Sequence, residues 1–317
     1  MSKNRDNFPL VSIGVPVYNG QEYIGRALKS LSLQDYPNIE IIISNNFSSD
    51  NTINIIKKYS NNMNKIRIYT QRKNIGIQKN FKFVLEKSLG KYFFWAADDD
   101  QWTHNYVSKC VDIMEKNKNI SVVQSDTLLF REGELPSENS YLLRFDHSLS
   151  KKSVFKLISI IFRKKYNYFF IGIFVKDDLV RAYKNLPKSI SSAERFLLLQ
   201  LVSSGKKIET TYDCNYVRQL SKKDLFEKYE NEQSINDTKK ELMNIFDFNM
   251  VKVADGFVKN NTFAKNIHWS VRLHTIIVVA KFKLFRSIRT LIRHFVKKFF
   301  GNSSYVILQK IFGRIKL

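Results

Sequence analysis

The chain has 317 residues, and 44% of them are hydrophobic, which suits a sizeable core and excludes global disorder. Lys and Arg number 52 against 29 Asp and Glu, a formal net charge of +23 that favours anionic partners: nucleotide phosphates, nucleic acid or an acidic membrane surface. Only Cys110 and Cys214 carry thiols, which excludes a disulfide framework and a cysteine-based zinc site and points to a reducing compartment.

The elements then read in chain order. Val11 to Tyr18 alternates, with Val11, Ile13, Val15 and Val17 on one face, and predicts a strand. Glu22 to Leu33 predicts a helix with Ile24, Ala27, Leu28 and Leu31 on one stripe. Ile39 to Ser44 is nearly continuous in apolar residues, as a buried parallel strand is. Ser48 or Ser49 is placed to cap a helix running to Tyr59. Lys65 to Thr70 predicts a third strand, Gln78 to Leu89 a helix, and Tyr92 to Ala97 a fourth strand. The strand ends near Tyr18, Ser44, Thr70 and Ala96 recur every 26 residues. Regular β-α alternation predicts a parallel sheet. Such sheets take ligands beyond the carboxyl ends of their strands. Tyr18-Asn19, Ser44-Asn45-Asn46, the loop around Asn74 and Asp98-Asp99-Asp100 should therefore converge on one crevice.

Three adjacent carboxylates repel one another unless solvated or bound to a cation, and oxygen-rich sites suit magnesium or manganese. A solvated loop that caps the helix beginning near His104 is the plainer alternative. Here the triplet ends a buried aromatic strand, where uncompensated charge is costly. Asn45 and Asn46 offer donors and acceptors for the edge of a base, or simply turn chemistry; Pro16 to Asn19 has the same ambiguity. P-loop and dinucleotide fingerprints are absent, as are zincin and nucleophile-elbow motifs.

Val11-Ser-Ile-Gly-Val-Pro-Val-Tyr-Asn19, Leu28-Lys-Ser-Leu31, Gln34-Asp-Tyr-Pro37, Glu40-Ile-Ile-Ile43 and Ser48-Ser-Asp-Asn-Thr52 together resemble the opening of family-two glycosyltransferases of bacterial capsule, O-antigen and exopolysaccharide synthesis. Asn74-Ile-Gly76, Asn80 and the run from Gly90 to Trp102 continue the likeness into what resembles the D-x-D region. It is close over residues 9–118 and looser to about 220. The resemblance implies an α/β GT-A fold: a Rossmann-like, mostly parallel sheet flanked by helices. It implies a nucleotide-diphosphate sugar donor, a glycan or lipid-linked acceptor, a divalent metal (manganese or magnesium) and inversion at the anomeric carbon. By the same resemblance Pro16, Tyr18 and Asn19 line the nucleoside pocket, with Asn45 where many relatives carry an Asp, and Asn74 and Asn80 near the nucleotide. Asp98 and Asp100 are the outer pair of D-x-D; aligning Trp102 instead makes Asp99 and Asp100 the principal pair. Glu194, in Ser191 to Gln200, matches the catalytic base, which opens a helix. A His that many relatives carry after the next strand is missing from Tyr216 to Ser221, and Arg218, or Lys222 and Lys223, is left to meet the departing diphosphate.

Domain organisation is expected as a catalytic domain over 1–220, with a nucleotide-sugar half at 9–118 and an acceptor half at 119–220, then a basic helical region over 221–317. Within the acceptor half, Ile120 to Gln124 and Tyr168 to Val175 predict strands, Glu132 to Asn139 a polar loop, and Val154 to Phe162 an apolar helix. No acidic residue follows Asp255, and Lys281 to Phe300 and Tyr305 to Leu317 alternate apolar and basic positions at helical spacing. Basic amphipathic helices lie in anionic membrane interfaces, so residues 281–317 are expected to bind such a surface; packing on the catalytic domain is the alternative. Met1 to Asn7 is polar with no apolar run behind it, and no run reaches the ~18–20 apolar residues of a spanning helix. These features predict a cytoplasmic protein, peripheral at the inner face of the cell membrane. The rivals are an inactive scaffold of the same fold, which Asn45 and the missing His would suit, and a basic nucleic-acid-binding protein. The acidic crevice and the lack of a recognised motif count against nucleic acid.

Overall fold

The computed structural model describes residues 7–60, 66–131, 140–161, 170–184 and 193–220. In chain order the elements are β1 (Val11–Val17), α1 (Ile24–Ser32), β2 (Ile39–Asn45), α2 (Thr52–Ser60), β3 (Ile66–Thr70), α3 (Ile77–Lys87), β4 (Tyr92–Trp95), β5 (Gln101–Trp102), α4 (Tyr106–Lys116), β6 (Ile120–Arg131), β7 (Tyr141–Leu143), α5 (Val154–Ile161), β8 (Ile173–Val175), α6 (Lys176–Lys184), α7 (Ala193–Ser203) and β9 (Lys207–Leu220). Met1–Leu186 with Leu197–Asp224 forms one compact unit, and Pro187–Phe196 with Leu225–Leu317 a second. Every described strand belongs to the first unit. The basic region expected over 221–317, its membrane-binding segment 281–317, Lys222 and Lys223, and the polar loop over 132–139 lie outside the described residues. Among the described residues, no helix is long and apolar enough to cross a membrane.

The sheet runs in the order β3-β2-β1-β4-β8-β6-β9-β5, with β7 beside β6. β3, β2, β1 and β4 are mutually parallel. β8 is antiparallel to both β4 and β6, and β6 is parallel to β9. The carboxyl ends of β1, β2, β3, β4, β6 and β9 therefore share one edge. Every residue of β1 and β2 is buried; β2 reads as a near-continuous apolar run for that reason, whereas β1 alternates, with Ser12, Gly14 and Pro16 on its second face. Helix α1 buries the predicted stripe of Ile24, Ala27, Leu28 and Leu31. Strand β4 places an aromatic cluster under the sheet, with Trp95 stacked on Phe170 at 4.5 Å between ring centres and donating its Nε1–H to the Phe81 carbonyl at 2.9 Å.

Three expectations change. Helix α2 is capped by Asp50, whose Oδ1 accepts the Thr52 N–H at 3.1 Å, and not by Ser48 or Ser49. The Ser48 hydroxyl is taken by the Asn19 N–H at 2.9 Å. The strand expected over Ile120 to Gln124 continues to Arg131, because β7, β8 and β9 all pair with it. The strand expected from Tyr168 is confined to Ile173–Val175 among the described residues. The two-residue β5 was not foreseen: it is too short to show any period.

Candidate functional site

The shared carboxyl edge carries the site. In register Val17 faces Asn45, and Asn45 faces Thr70, so the residues after these three strands rise side by side. Asn19 and Phe47 both take positive φ, 52° and 63°, a region that Asn tolerates and a bulky ring rarely enters. Their loops are tied together. Asn19 Oδ1 accepts the Ser49 N–H at 2.9 Å, and Asn45 Oδ1 accepts the Ser48 N–H at 3.2 Å. Asn46 donates from Nδ2 to Asn74 Oδ1 at 3.0 Å and accepts the Ile75 N–H at 2.8 Å. Asn80 accepts the Ser44 hydroxyl at 2.6 Å and donates to the Ser44 carbonyl at 3.0 Å. Asn19 and Asn46 hold one strand-end loop to the next, Asn45 braces its own loop, and Asn80 ties α3 to the end of β2. Pro16 lies within buried β1 at the level of Ser44, and Tyr18 is half exposed at the mouth.

The acidic corner follows β4. Asp98 and Asp99 are partly buried, and Asp100 is 1% exposed. A β-carbon at Gly20 would stand 2.0 Å from Asp98 Oδ2 and 2.8 Å from Val17 Cγ2, so the glycine gives Asp98 its place. Burial first, then the neighbouring Asp99, pushes Asp98 up to about 7, with Asp50 adding to the rise. Asp100 is also pushed up to about 7, by burial and then Asp99, against the opposing pull of Arg218 and the Tyr216 hydrogen bond. Tyr216 reaches it because β5 pairs with β9, Trp102 opposite Tyr216. The Tyr216 hydroxyl donates to Asp100 Oδ2, and Asp100 Oδ1 is buried with no hydrogen-bond partner. Leaving a buried carboxylate oxygen unpaired is expensive.

The corner therefore has the chemistry of a hard-cation site: adjacent carboxylates, poorly solvated, one oxygen unpaired. Among the described residues, no group of three or more His, Cys, Asp or Glu side chains is arranged to hold a metal ion. The carboxylates fit a cation that takes part of its coordination from a ligand.

The sequence-predicted residues Pro16, Tyr18, Asn19, Asn45, Asn74 and Asn80 share the edge of β1, β2 and β3. Asp98, Asp99, Asp100 and Arg218 gather at the β4–β9 corner. Glu194 lies in the first turn of α7, where an acid favours the helix dipole; it belongs to the second unit. Two residues near this edge carried no role in the sequence. Tyr216 could have been picked out from sharing a strand face with Arg218, two residues on. Phe47 stood in an ordinary polar turn, and its exposure gave no signal.

A family model described as "Glycosyl transferase family 2" matches residues 12–170. A GalNAc(5)-diNAcBac-PP-undecaprenol beta-1,3-glucosyltransferase of Campylobacter jejuni is 30% identical over 179 residues, covering 52% of this chain and 57% of that protein. The chain spans only part of the curated relatives it matches, 22% and 44% of two rickettsial glycosyltransferases. Among solved structures, S. aureus TarS in complex with UDP-GlcNAc aligns with a TM-score of 0.59 at 19% identity, over 86% of this chain and 71% of that one. A Pyrobaculum calidifontis mannosyltransferase in complex with GDP-Man and Mn2+ aligns with a TM-score of 0.52 at 11% identity, over 99% and 90%. At such identities the likeness is one of fold. That fold is the expected GT-A arrangement.

Proposed function

The chain belongs to glycosyl transferase family 2, and we propose that it moves a sugar from a nucleotide-diphosphate donor to a hydroxyl of a glycan or lipid-linked acceptor, with inversion, in bacterial surface polysaccharide synthesis. The observation that carries this is the acidic corner at the ligand edge of the sheet, where Asp100 Oδ1 is buried and unpaired. The Campylobacter relative, named for an undecaprenol-linked substrate, supports the lipid-linked acceptor. The solved neighbours, crystallised with UDP-GlcNAc or with GDP-Man and Mn2+, support the donor class and the metal.

Asp98, Asp99 and Asp100 would hold the divalent ion, manganese or magnesium. Bound there, it supplies stabilisation of the negative charge that a leaving diphosphate acquires. The protein's own part is positional. Tyr216 fixes the Asp100 carboxylate through Oδ2, which leaves Oδ1 for a ligand. Arg218, close enough to pull Asp100 down, brings a fixed cation for the departing diphosphate. Pro16, Tyr18, Asn19, Asn45, Asn74 and Asn80 line the nucleoside end. Glu194 takes the proton of the acceptor hydroxyl, which is a poor nucleophile without a base. Residues 281–317 bind an anionic membrane, so the enzyme works as a cytoplasmic, peripheral protein at the inner face.

The test is a thermal-shift and calorimetry screen of UDP, GDP, dTDP and CMP sugars, with and without manganese. It is run on the wild type and on an Asp98→Asn, Asp99→Asn, Asp100→Asn triple variant. Manganese-dependent stabilisation by a donor, lost in the variant, is expected. Equal stabilisation of both proteins would reject the acidic corner as the site.

A further inference from the structure

Successive backbone N–H groups hold the loop after β1 to the start of α2. Asn19 donates to Ser48 Oγ at 2.9 Å, Gly20 to Thr52 Oγ1 at 2.9 Å and Gln21 to Asp50 Oδ2 at 3.1 Å. Side chains of the first loop reciprocate: Asn19 Oδ1 accepts the Ser49 N–H at 2.9 Å and Gln21 Oε1 the Asn51 N–H at 3.0 Å. The N–H bonds of Asn19 and Gln21 are exposed, where water can stand in for a lost partner. That of Gly20 is buried, where a lost partner leaves the donor unsatisfied. Thr52 is itself fully buried, and its hydroxyl donates to Asp50 Oδ1. It therefore meets Gly20 as a fixed acceptor.

Gly20 is pinned from its other side as well. Its carbonyl accepts the N–H groups of Tyr23 and Ile24 at 3.1 and 2.9 Å, where α1 begins. Asp98 stands against this immobilised residue. Its Oδ2 occupies the space that a side chain at position 20 would fill, 2.0 Å from the place of a β-carbon. The wall on one side of the carboxylate is thus backbone, and Thr52 holds that backbone from within the core.

We propose that Thr52 is a positioning residue for the cation: its hydroxyl, through the Gly20 N–H, fixes the backbone surface that sets Asp98 in the acidic corner. The inference rests on the nucleotide-sugar reading above and adds a residue outside the corner to the machinery that reading requires. Capping of α2, the plainer role for an oxygen here, already falls to Asp50. Asp50 is the poorer probe of position, because its charge also acts on Asp98. Thr52→Val keeps the shape and removes the acceptor. Thr52→Ser keeps the acceptor. Gly20→Ala keeps the N–H and sets a β-carbon against Asp98 Oδ2.

The test is calorimetry of the full chain with manganese pyrophosphate, at a temperature where melting profiles show every protein folded. Wild type is compared with Thr52→Val, Thr52→Ser and Gly20→Ala, and with Asp98→Ala alone and combined with Thr52→Val. Thr52→Val should weaken binding about 10- to 100-fold, the usual effect of losing a group that orients a metal ligand. Thr52→Ser should match the wild type, and Gly20→Ala should bind weakly. In the Asp98→Ala background Thr52→Val should weaken binding by less than about twofold, because the carboxylate it places is gone. A lower melting temperature from Thr52→Val is expected in both backgrounds, so a merely structural role would not reproduce this split. Unchanged binding in Thr52→Val, or equal weakening in both backgrounds, overturns the proposal and leaves the nucleotide-sugar reading standing. Wild-type binding in Asp98→Ala does the same and leaves the cation to Asp99 and Asp100. Where Asp98→Ala binds too weakly to compare, failure of Thr52→Ser to restore binding overturns it. Where Thr52→Val does not fold, unchanged binding in Gly20→Ala overturns it. Folded wild type that does not bind manganese pyrophosphate rejects the nucleotide-sugar reading and the proposal with it.

Discussion

Strand β4 ends in acid on one side of the sheet and begins beside acid on the other, and the two environments are opposite. At its start, the Tyr92 hydroxyl donates to Glu115, which also takes Lys91 at 2.6 Å and an ion pair from Lys118. Partial burial raises Glu115, but those hydrogen bonds outweigh it and hold the carboxyl at about 2. At its far end, Asp98 and Asp100 are pushed up to about 7 by burial and by Asp99. A carboxylate whose partners are all supplied by the chain serves the fold. A buried one left short of partners is, on the function proposed above, the one left for a ligand, and that asymmetry is what sets the two ends of β4 apart.

The sharpest way to break the comparison is Asp100→Asn. Activity should fall on the order of a hundredfold or more, since a cation-held diphosphate contributes several kcal/mol. Stability should move the other way. The folded-state pKa of Asp100 lies above its unfolded value of 3.8. Its contribution to stability is therefore fully present below about pH 4 and lost as pH rises through about 7. Without metal, the wild type should melt lower at pH 8 than at pH 5 from this corner, and Asp100→Asn should flatten that slope and melt higher at pH 8. Calorimetric melting across that range, beside a turnover assay, checks both. A variant less stable than wild type at pH 8 would mean that Asp100 is structurally satisfied.

The second prediction concerns the amide-tied loops. Asn46→Ala cuts the tie to Asn74, which keeps Gly76, and leaves the part-buried Ile75 N–H without its acceptor. The cost should be about 1–3 kcal/mol, read by urea unfolding. Pyrophosphate binding, which depends on the acidic corner, should persist.

Much of this was legible in the sequence, and the limits were physical. β2 and β4 showed themselves because strands buried on both faces are written as apolar runs, and β1 by its alternation. The Asp triplet stood out because it ended such a run. Its partners did not. Tyr216 meets Asp100 across a separation of 116 residues, through a strand pair only two residues long, and nothing local to either residue announces it. The cap of α2 was expected at Ser48 or Ser49, whereas Asp50, an equally good capping type, takes the Thr52 N–H; the hydroxyl of Ser48 is committed to the Asn19 backbone, 29 residues away. Asparagines at strand ends read equally as base readers or loop ties, and the pairings of Asn19 with Ser49 and Asn46 with Asn74 show their oxygens and the Asn46 amide tying loops.

The smallest effect belongs to the satisfied end of β4. Glu115→Gln keeps the shape but weakens what Lys91, Lys118 and Tyr92 share. Its carboxyl lies below the unfolded value of 4.5, so its stabilisation is present above that pH and lost as pH falls through about 2. The Glu115 side chain is 32% exposed and that of Lys91 46%, so solvent screens the pair, and the loss at neutral pH should stay below about 1 kcal/mol. Acid titration of the melting temperature should show the wild type losing this increment between pH 4.5 and 2 while the variant does not. Donor binding should be unchanged, because the substitution sits at the opposite end of the strand from Asp98. A variant that kept its fold but lost metal-dependent binding would mean that the two ends of β4 are coupled, and the division between a satisfied end and a working end would fall.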